Sequence, residues 1–188
     1  MPLIYWHEER FAKTQSANFG KIIYPSLEEI VRASDTPKGN NICYKCRVVY
    51  DSENIDVEFP VYQRKKINRL IVKTDNEIDY QFKCANRKRL NLLCKDLRAD
   101  EEVLIVKNDL LTDTSFTNIA LFDGSNWFTP EKPLLQGVQR NYLLSKKMIH
   151  EKDISLQELK TYSKIKLFNA LNDWNDAWEL DRSNIYFS

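Results

Sequence analysis

The sequence predicts an α+β protein built from a small N-terminal α+β domain, residues 1–77, and a C-terminal α/β domain, residues 78–188. Three observations carry that expectation. Two helical segments open the chain and three strand-like segments follow, which closes a small unit near residue 77. The second half then interleaves strands and helices again, beginning with an apolar stretch at residues 78–83. The composition, 43% apolar and 29% charged over 188 residues, is that of a globular protein with room for a core.

Residues 7–20 read as a helix in which Phe11 and other apolar residues are interleaved with charges, and Gly20 ends it. Ser26-Leu27-Glu28-Glu29 is a capping box that opens a second helix to about Ala33. Residues 35–41 have loop composition. Residues 42–50, 55–62 and 69–73 are strand candidates, and Asp51-Ser52-Glu53-Asn54 joins the first two as a hairpin. Residues 78–83 are the next strand candidate. A helix over residues 84–97 follows, with Leu90, Leu93, Cys94 and Leu97 on one face. Residues 102–107, 116–122 and 126–128 read as strands, with Asp123-Gly124 as a turn signal. A helix is expected over 138–147, a short helix after the capping box Ser155-Leu156-Gln157-Glu158, and a strand over 164–169. The tail from Asn172 carries Trp174 and Trp178 among acidic residues.

The charge balance excludes some classes of function. With 28 Lys+Arg against 27 Asp+Glu, the net charge is +1, without the basic excess that broad phosphate-backbone binding needs. The clusters Arg64-Lys65-Lys66 with Arg69, and Arg87-Lys88-Arg89, are therefore read as solvated surfaces, and no nucleic-acid partner is expected. Neither G-x-G-x-x-G nor G-x-x-x-x-G-K-[ST] occurs. Aliphatic runs such as residues 103–106 fall far short of the roughly 20 residues that cross a bilayer. No signal-peptide pattern opens the chain, so cytoplasmic residence without a membrane partner is expected. Cys43 and Cys46 form one C-x2-C, but Cys84 and Cys94 do not complete a second pair, so reduced cysteines and no metal site are expected.

Three segments of the second half bear chemistry. Lys83 ends the apolar stretch Asp79-Tyr80-Gln81-Phe82, where partial desolvation would ease loss of its proton. Asp113 lies in a polar segment that enters a strand. Gly137 precedes a helix whose first N–H groups, at Val138 and Gln139, can hold a phosphate. Each has an ordinary alternative: a solvent-facing strand-end lysine, a hydrogen-bonded turn, a loop-to-helix junction. Together they have a chemical logic. Pyridoxal phosphate requires a lysine for covalent attachment, a carboxylate against its ring nitrogen and an anion site for its phosphate.

The order of these segments resembles the fold-type IV pyridoxal phosphate enzymes, the class IV aminotransferase family. The matching stretches are Tyr80-Gln81-Phe82-Lys83-Cys84-Ala85-Asn86-Arg87, Thr112-Asp113-Thr114-Ser115-Phe116-Thr117-Asn118, Phe128-Thr129-Pro130, Leu134-Leu135-Gln136-Gly137-Val138-Gln139-Arg140 and Phe168-Asn169-Ala170-Leu171. In the first half, His7-Glu8-Glu9-Arg10 is similar to the family's His-x-x-Arg. The resemblance implies a fold-type IV architecture with a shortened N-terminal domain and a pseudo-barrel-like C-terminal domain. It implies pyridoxal phosphate as cofactor, Lys83 as the catalytic lysine, and Arg10, Asp113, Asn118, Gly137, Val138 and Gln139 as further cofactor-binding residues. It also implies a homodimer acting on a small-molecule amino substrate.

Three departures accompany it. The chain starts just before His-x-x-Arg, so the family's opening hairpin is expected to be absent. Asp113 stands where the family usually has Glu, and Val138-Gln139 lack the hydroxyl of its usual threonine. Asn86-Arg87 resemble the pattern of aminodeoxychorismate lyase, which forms 4-aminobenzoate and pyruvate. Lys88 stands where branched-chain aminotransferases usually have tyrosine. The implied activity is therefore a lyase of that type; the alternatives are an aminotransferase for a branched-chain or D-amino acid, or a non-catalytic relative.

Overall fold

The computed structural model describes residues 3–37 and 41–187; residues 38–40 of the expected loop lie outside that range. The chain forms two compact units, Met1–Arg64 and Lys65–Ser188.

The first unit holds α1 (Ile4–Phe19), α2 (Leu27–Ala33) and the hairpin β1 (Arg47–Tyr50) and β2 (Ile55–Glu58). Gly20 stops α1 in the left-handed conformation, φ 70°, and its N–H donates to Ser16 O at 3.1 Å. The next turn is bound to α1 by Gln15, fully buried, whose Oε1 accepts from the N–H groups of Ile23 and Tyr24 at 2.9 and 2.8 Å. Ser26 caps α2 as expected, its Oγ accepting from Glu29 N–H. Asp51 Oδ1 accepts from Glu53 and Asn54 N–H and closes the hairpin. Tyr50 packs edge-on against Phe11, Phe19 and Tyr24, so aromatic rings form the core of this small unit. Both strands are shorter than expected; beyond them Tyr44 and Val61 form an isolated bridge.

The second unit packs two sheets face to face. One has the order β11-β3-β4-β5, from β3 (Arg69–Thr74), β4 (Glu101–Lys107), β5 (Leu110–Leu111) and β11 (Ile185–Phe187). The other has the order β10-β9-β6-β7-β8, from β6 (Asn118–Phe122), β7 (Trp127–Pro130), β8 (His150–Lys152), β9 (Lys164–Phe168) and β10 (Trp178–Asp181). Alternation along each strand sorts side chains into layers. Leu104 and Val106 of β4 meet Ile119 and Leu121 of β6 and Ile165 and Leu167 of β9 in the central core. Val103 and Ile105 point the other way, onto Leu90 of α3 (Lys88–Leu93). Ala120 and Phe168 face Leu143 of α4 (Val138–Ser145) on the far side. With α3 and α4 on the outer faces, both central strands are buried on both sides, which explains the near-continuous apolar run of β4.

The structure corrects three expectations. The boundary falls at Arg64/Lys65, not near residue 77, because β3 pairs in parallel with β4, from Arg69 opposite Glu101 to Thr74 opposite Val106, and with β11. Parallel pairing is non-local, so no local pattern announces it. Residues 78–83 are not a strand, so Lys83 does not stand at a strand end. Asp79 Oδ1 accepts from Gln81 N–H at 3.1 Å and Phe82 O from Cys84 N–H at 2.6 Å, and these local bonds turn the chain instead. The helix expected from Cys84 begins only at Lys88, whose N–H donates to Asn86 Oδ1.

Candidate functional site

Asp113 lies where the chain leaves one sheet for the other. Its carbonyl accepts from Ile105 N–H of β4 at 2.9 Å, and five residues later Asn118 opens β6 opposite Phe168 of β9. Between them the Thr114–Thr117 turn closes on itself: Thr114 N–H donates to Thr117 O at 3.0 Å, and the two hydroxyls lie 2.7 Å apart. The polar run from Thr112 to Asn118 is thus a largely buried crossover in which the Thr114 hydroxyl accepts from the N–H groups of Phe116 and Thr117, while the Thr112 hydroxyl donates to Ile105 O of β4.

The Asp113 carboxylate is 4% exposed and held by two donors. Asn118 Nδ2 donates to Oδ1 at 2.8 Å and Leu135 N–H to Oδ2 at 2.9 Å. Asn118 Nδ2 also reaches Leu135 O at 2.9 Å, so one side chain fastens the carboxylate to the loop before α4. Burial pushes the Asp113 carboxyl up to about 6, against the opposing pull of the Leu135 N–H, Asn118 and the Arg140 guanidinium.

Gly137 stands at the start of α4, and no side chain caps that start. A Cβ on Gly137 would lie 1.8 Å from Asn118 Oδ1, so only glycine lets the helix start approach the Asn118–Asp113 pair this closely. Val138 and Gln139, the first helical residues, are buried. Arg140, 1% exposed, donates to Gln136 Oε1, Pro130 O and Glu151 Oε1. Asp113, Asn118, Gly137, Val138 and Gln139 therefore come together as the sequence anticipates.

Lys83 is exposed, between a half-buried Phe82 and an exposed Cys84 of the same unit. The expected desolvation at a strand end is not its setting. Arg10 lies half-buried on α1 of the first unit. Asn86 and Arg87 both make bonds within the chain: Asn86 Oδ1 accepts from Lys88 N–H at 3.1 Å, and Arg87 Nη2 donates to Ser115 O at 2.7 Å. Sequence reasoning missed the backbone N–H of Leu135, which carries no side-chain signal. It also missed Arg140, which the Gln136–Arg140 spacing of one helical turn could have marked. Among the described residues no group of three or more His, Cys, Asp or Glu side chains is placed to hold a metal, and the four cysteines are unpaired thiols.

These features fit a phosphorylated pyridine aldehyde on two counts. The start of α4, where no side chain makes a cap hydrogen bond, suits a phosphate, since helix N–H groups and the helix dipole favour an anion. A carboxyl raised to about 6 yet held by two donors suits a partner that shares a proton with a pyridine nitrogen.

Residues 50–176 match the model of the amino-transferase class IV family. An uncharacterized protein of Haemophilus influenzae is 30% identical over 168 residues, 88% of each chain. A crystal structure of a candidate 4-amino-4-deoxychorismate lyase from Haemophilus somnus superposes with a TM-score of 0.84 at 29% identity, covering 92% of this chain and 90% of that one. A candidate amino-acid aminotransferase from Mesorhizobium loti superposes with a TM-score of 0.73 at 18% identity, covering 95% and 91%; that likeness is one of fold.

Proposed function

We propose, from the premise that the chain belongs to the class IV aminotransferase family, that it is a pyridoxal phosphate-dependent lyase converting 4-amino-4-deoxychorismate to 4-aminobenzoate and pyruvate, and that it works as a homodimer. The observation that carries the reading is the lock of Asp113, Asn118 and Leu135 against Gly137 at the head of α4, which joins a proton-holding carboxyl to an anion-binding helix start. The choice of lyase over aminotransferase is supported by the 29% identity with the candidate lyase across nearly the whole chain, and by Lys88 in place of a tyrosine.

When bound, the cofactor supplies an electron sink for the pair left on the carbon that bears the substrate amine. The roles of the protein follow. The N–H groups at the start of α4 hold the phosphate. The Asp113 carboxylate holds a proton at the ring nitrogen, and Asn118 and Leu135 keep it aimed. Lys83 Nζ takes the proton from the amine-bearing carbon as general base. The C–O bond to the enolpyruvyl group then breaks, the departing oxygen takes up the proton that Lys83 removed, and the enol isomerises to pyruvate; the substrate ring left behind becomes aromatic, which drives the reaction forward.

The test is incubation of the purified chain with pyridoxal phosphate and 4-amino-4-deoxychorismate. Stoichiometric 4-aminobenzoate and pyruvate are expected, and borohydride should trap the cofactor on a peptide containing Lys83. Amino transfer to a 2-oxo acid without pyruvate release would make the chain an aminotransferase. A wild-type chain that never binds the cofactor would leave the non-catalytic reading in its place.

A further inference from the structure

We propose that Arg87 is a positioning residue, tying the segment that carries Lys83 to the loop that carries Asp113. Residues 78–87 contain neither helix nor strand. Bonds inside the segment, from Gln81 to Asp79 and from Cys84 to Phe82, shape it. Its start is held by Ile78, buried against Leu90, Val103 and Ile105, and by Lys107 Nζ, which donates to Ile78 O at 2.6 Å. Arg87 holds its end, on the far side of Lys83. One arm of its guanidinium donates to Ser115 O at 2.7 Å, and the other donates to Tyr80 Oη at 3.1 Å. The Tyr80 hydroxyl in turn donates to Cys84 O, the carbonyl next after Lys83, at 3.2 Å. The guanidinium carbon also lies 5.5 Å from the centre of the Tyr80 ring.

The far end of the tie is anchored. Ser115 N–H donates to Glu102 Oε1 at 3.3 Å, and Glu102 is 1% exposed on β4. Its other oxygen pairs with Lys65 Nζ at 2.8 Å. Ser115 is therefore gripped at its N–H by the sheet and at its carbonyl by Arg87, two residues beyond Asp113. A guanidinium suits this task because its planar fork makes two directed bonds at once, whereas a lysine ammonium on a flexible stem does not reproduce both. The catalytic half of the inference rests on the roles proposed above for Lys83 and Asp113; the tie itself does not.

The experiment compares the full wild-type chain with Arg87→Lys and Tyr80→Phe. Without cofactor, backbone amide exchange in the 78–87 peptide should speed up about tenfold in Arg87→Lys, and in the same direction by less in Tyr80→Phe, with β6 and β9 unchanged. With cofactor and substrate, kcat should fall about tenfold or more while KM stays within about twofold, because a small displacement of a reacting group acts on the chemical step. The pH profile of kcat should shift as well. Unchanged exchange overturns the tie. Faster exchange throughout the core makes Arg87 a fold-supporting residue and overturns its positioning role, as does faster local exchange with normal kcat. A wild type that is inactive with bound cofactor refutes the proposed function, and the exchange data then decide the tie alone.

Discussion

At Asp113 a carboxyl is buried with a raised pKa, so its ionisation opposes folding. In the unfolded chain it titrates near its ordinary value, 3.8; in the folded chain it titrates near 6. Between those values the folded state binds more protons, so stability falls as pH rises from about 4 to about 6 and levels off above. The drop from this one group is about 3 kcal/mol. Urea unfolding across that range should show the slope, and Asp113→Asn should remove it. The same substitution should lower turnover by about a hundredfold or more while cofactor retention changes little, because a neutral amide cannot hold the ring nitrogen protonated. Near-normal turnover would show that another group partners the ring. Gly137→Ala tests the other side of the lock. The new Cβ would collide with Asn118 Oδ1, so Asn118 must move and release Asp113. A loss of about 1–3 kcal/mol is expected, together with weaker cofactor binding; a crystal structure with Asn118 unmoved would contradict it.

At the scale of elements, the short helix α2 is capped twice. Ser26 Oγ takes the Glu29 N–H, and Glu8, reaching from α1, accepts from Leu27 N–H at 3.0 Å and Glu28 N–H at 2.8 Å. A seven-residue helix has little stability of its own, so these caps and their charge at the positive end of the helix dipole carry much of it. Glu8→Ala should destabilise the first unit by about 1–2 kcal/mol, with Glu8→Gln losing less because it keeps an acceptor. Guanidinium unfolding followed through the aromatic cluster around Tyr50 reads this out. An unchanged midpoint in Glu8→Ala would show that Ser26 suffices.

At the scale of the whole molecule, the second unit carries its catalytic candidates on segments between strands and helices, where the backbone is free to bend while the strands behind it stay fixed. Exposed Tyr186 and Phe187 on β11, at the edge of its sheet, leave apolar surface uncovered in a single chain. The proposed homodimer should sediment as a dimer at micromolar concentration, with roughly 2,000 Å² or more buried in total if it is obligate. A monomer at that concentration would count against it. No helix among the described residues is long and apolar enough to cross a membrane.

What lies in the sequence is what short-range chemistry fixes. The cap at Ser26, the capping box at Ser155, the hairpin at Asp51–Asn54, the stop at Gly20 and the helix after Gly137 were all legible, because each depends on residues within a turn of one another. So was the group Asp113, Asn118, Gly137, through the order of its motifs. Three things were settled only by tertiary structure. The parallel pairing of β3 with β4 and β11 joins residues far apart in the chain and moves the unit boundary to Lys65. The apolar stretch at Tyr80 and Phe82 reads as a strand by composition, yet no neighbouring strand pairs with it, and side-chain bonds from Asp79 and Tyr80 fold it into turns. The raised carboxyl of Asp113 depends on burial between layers, and burial of a polar group is a property of everything packed around it rather than of the residue itself.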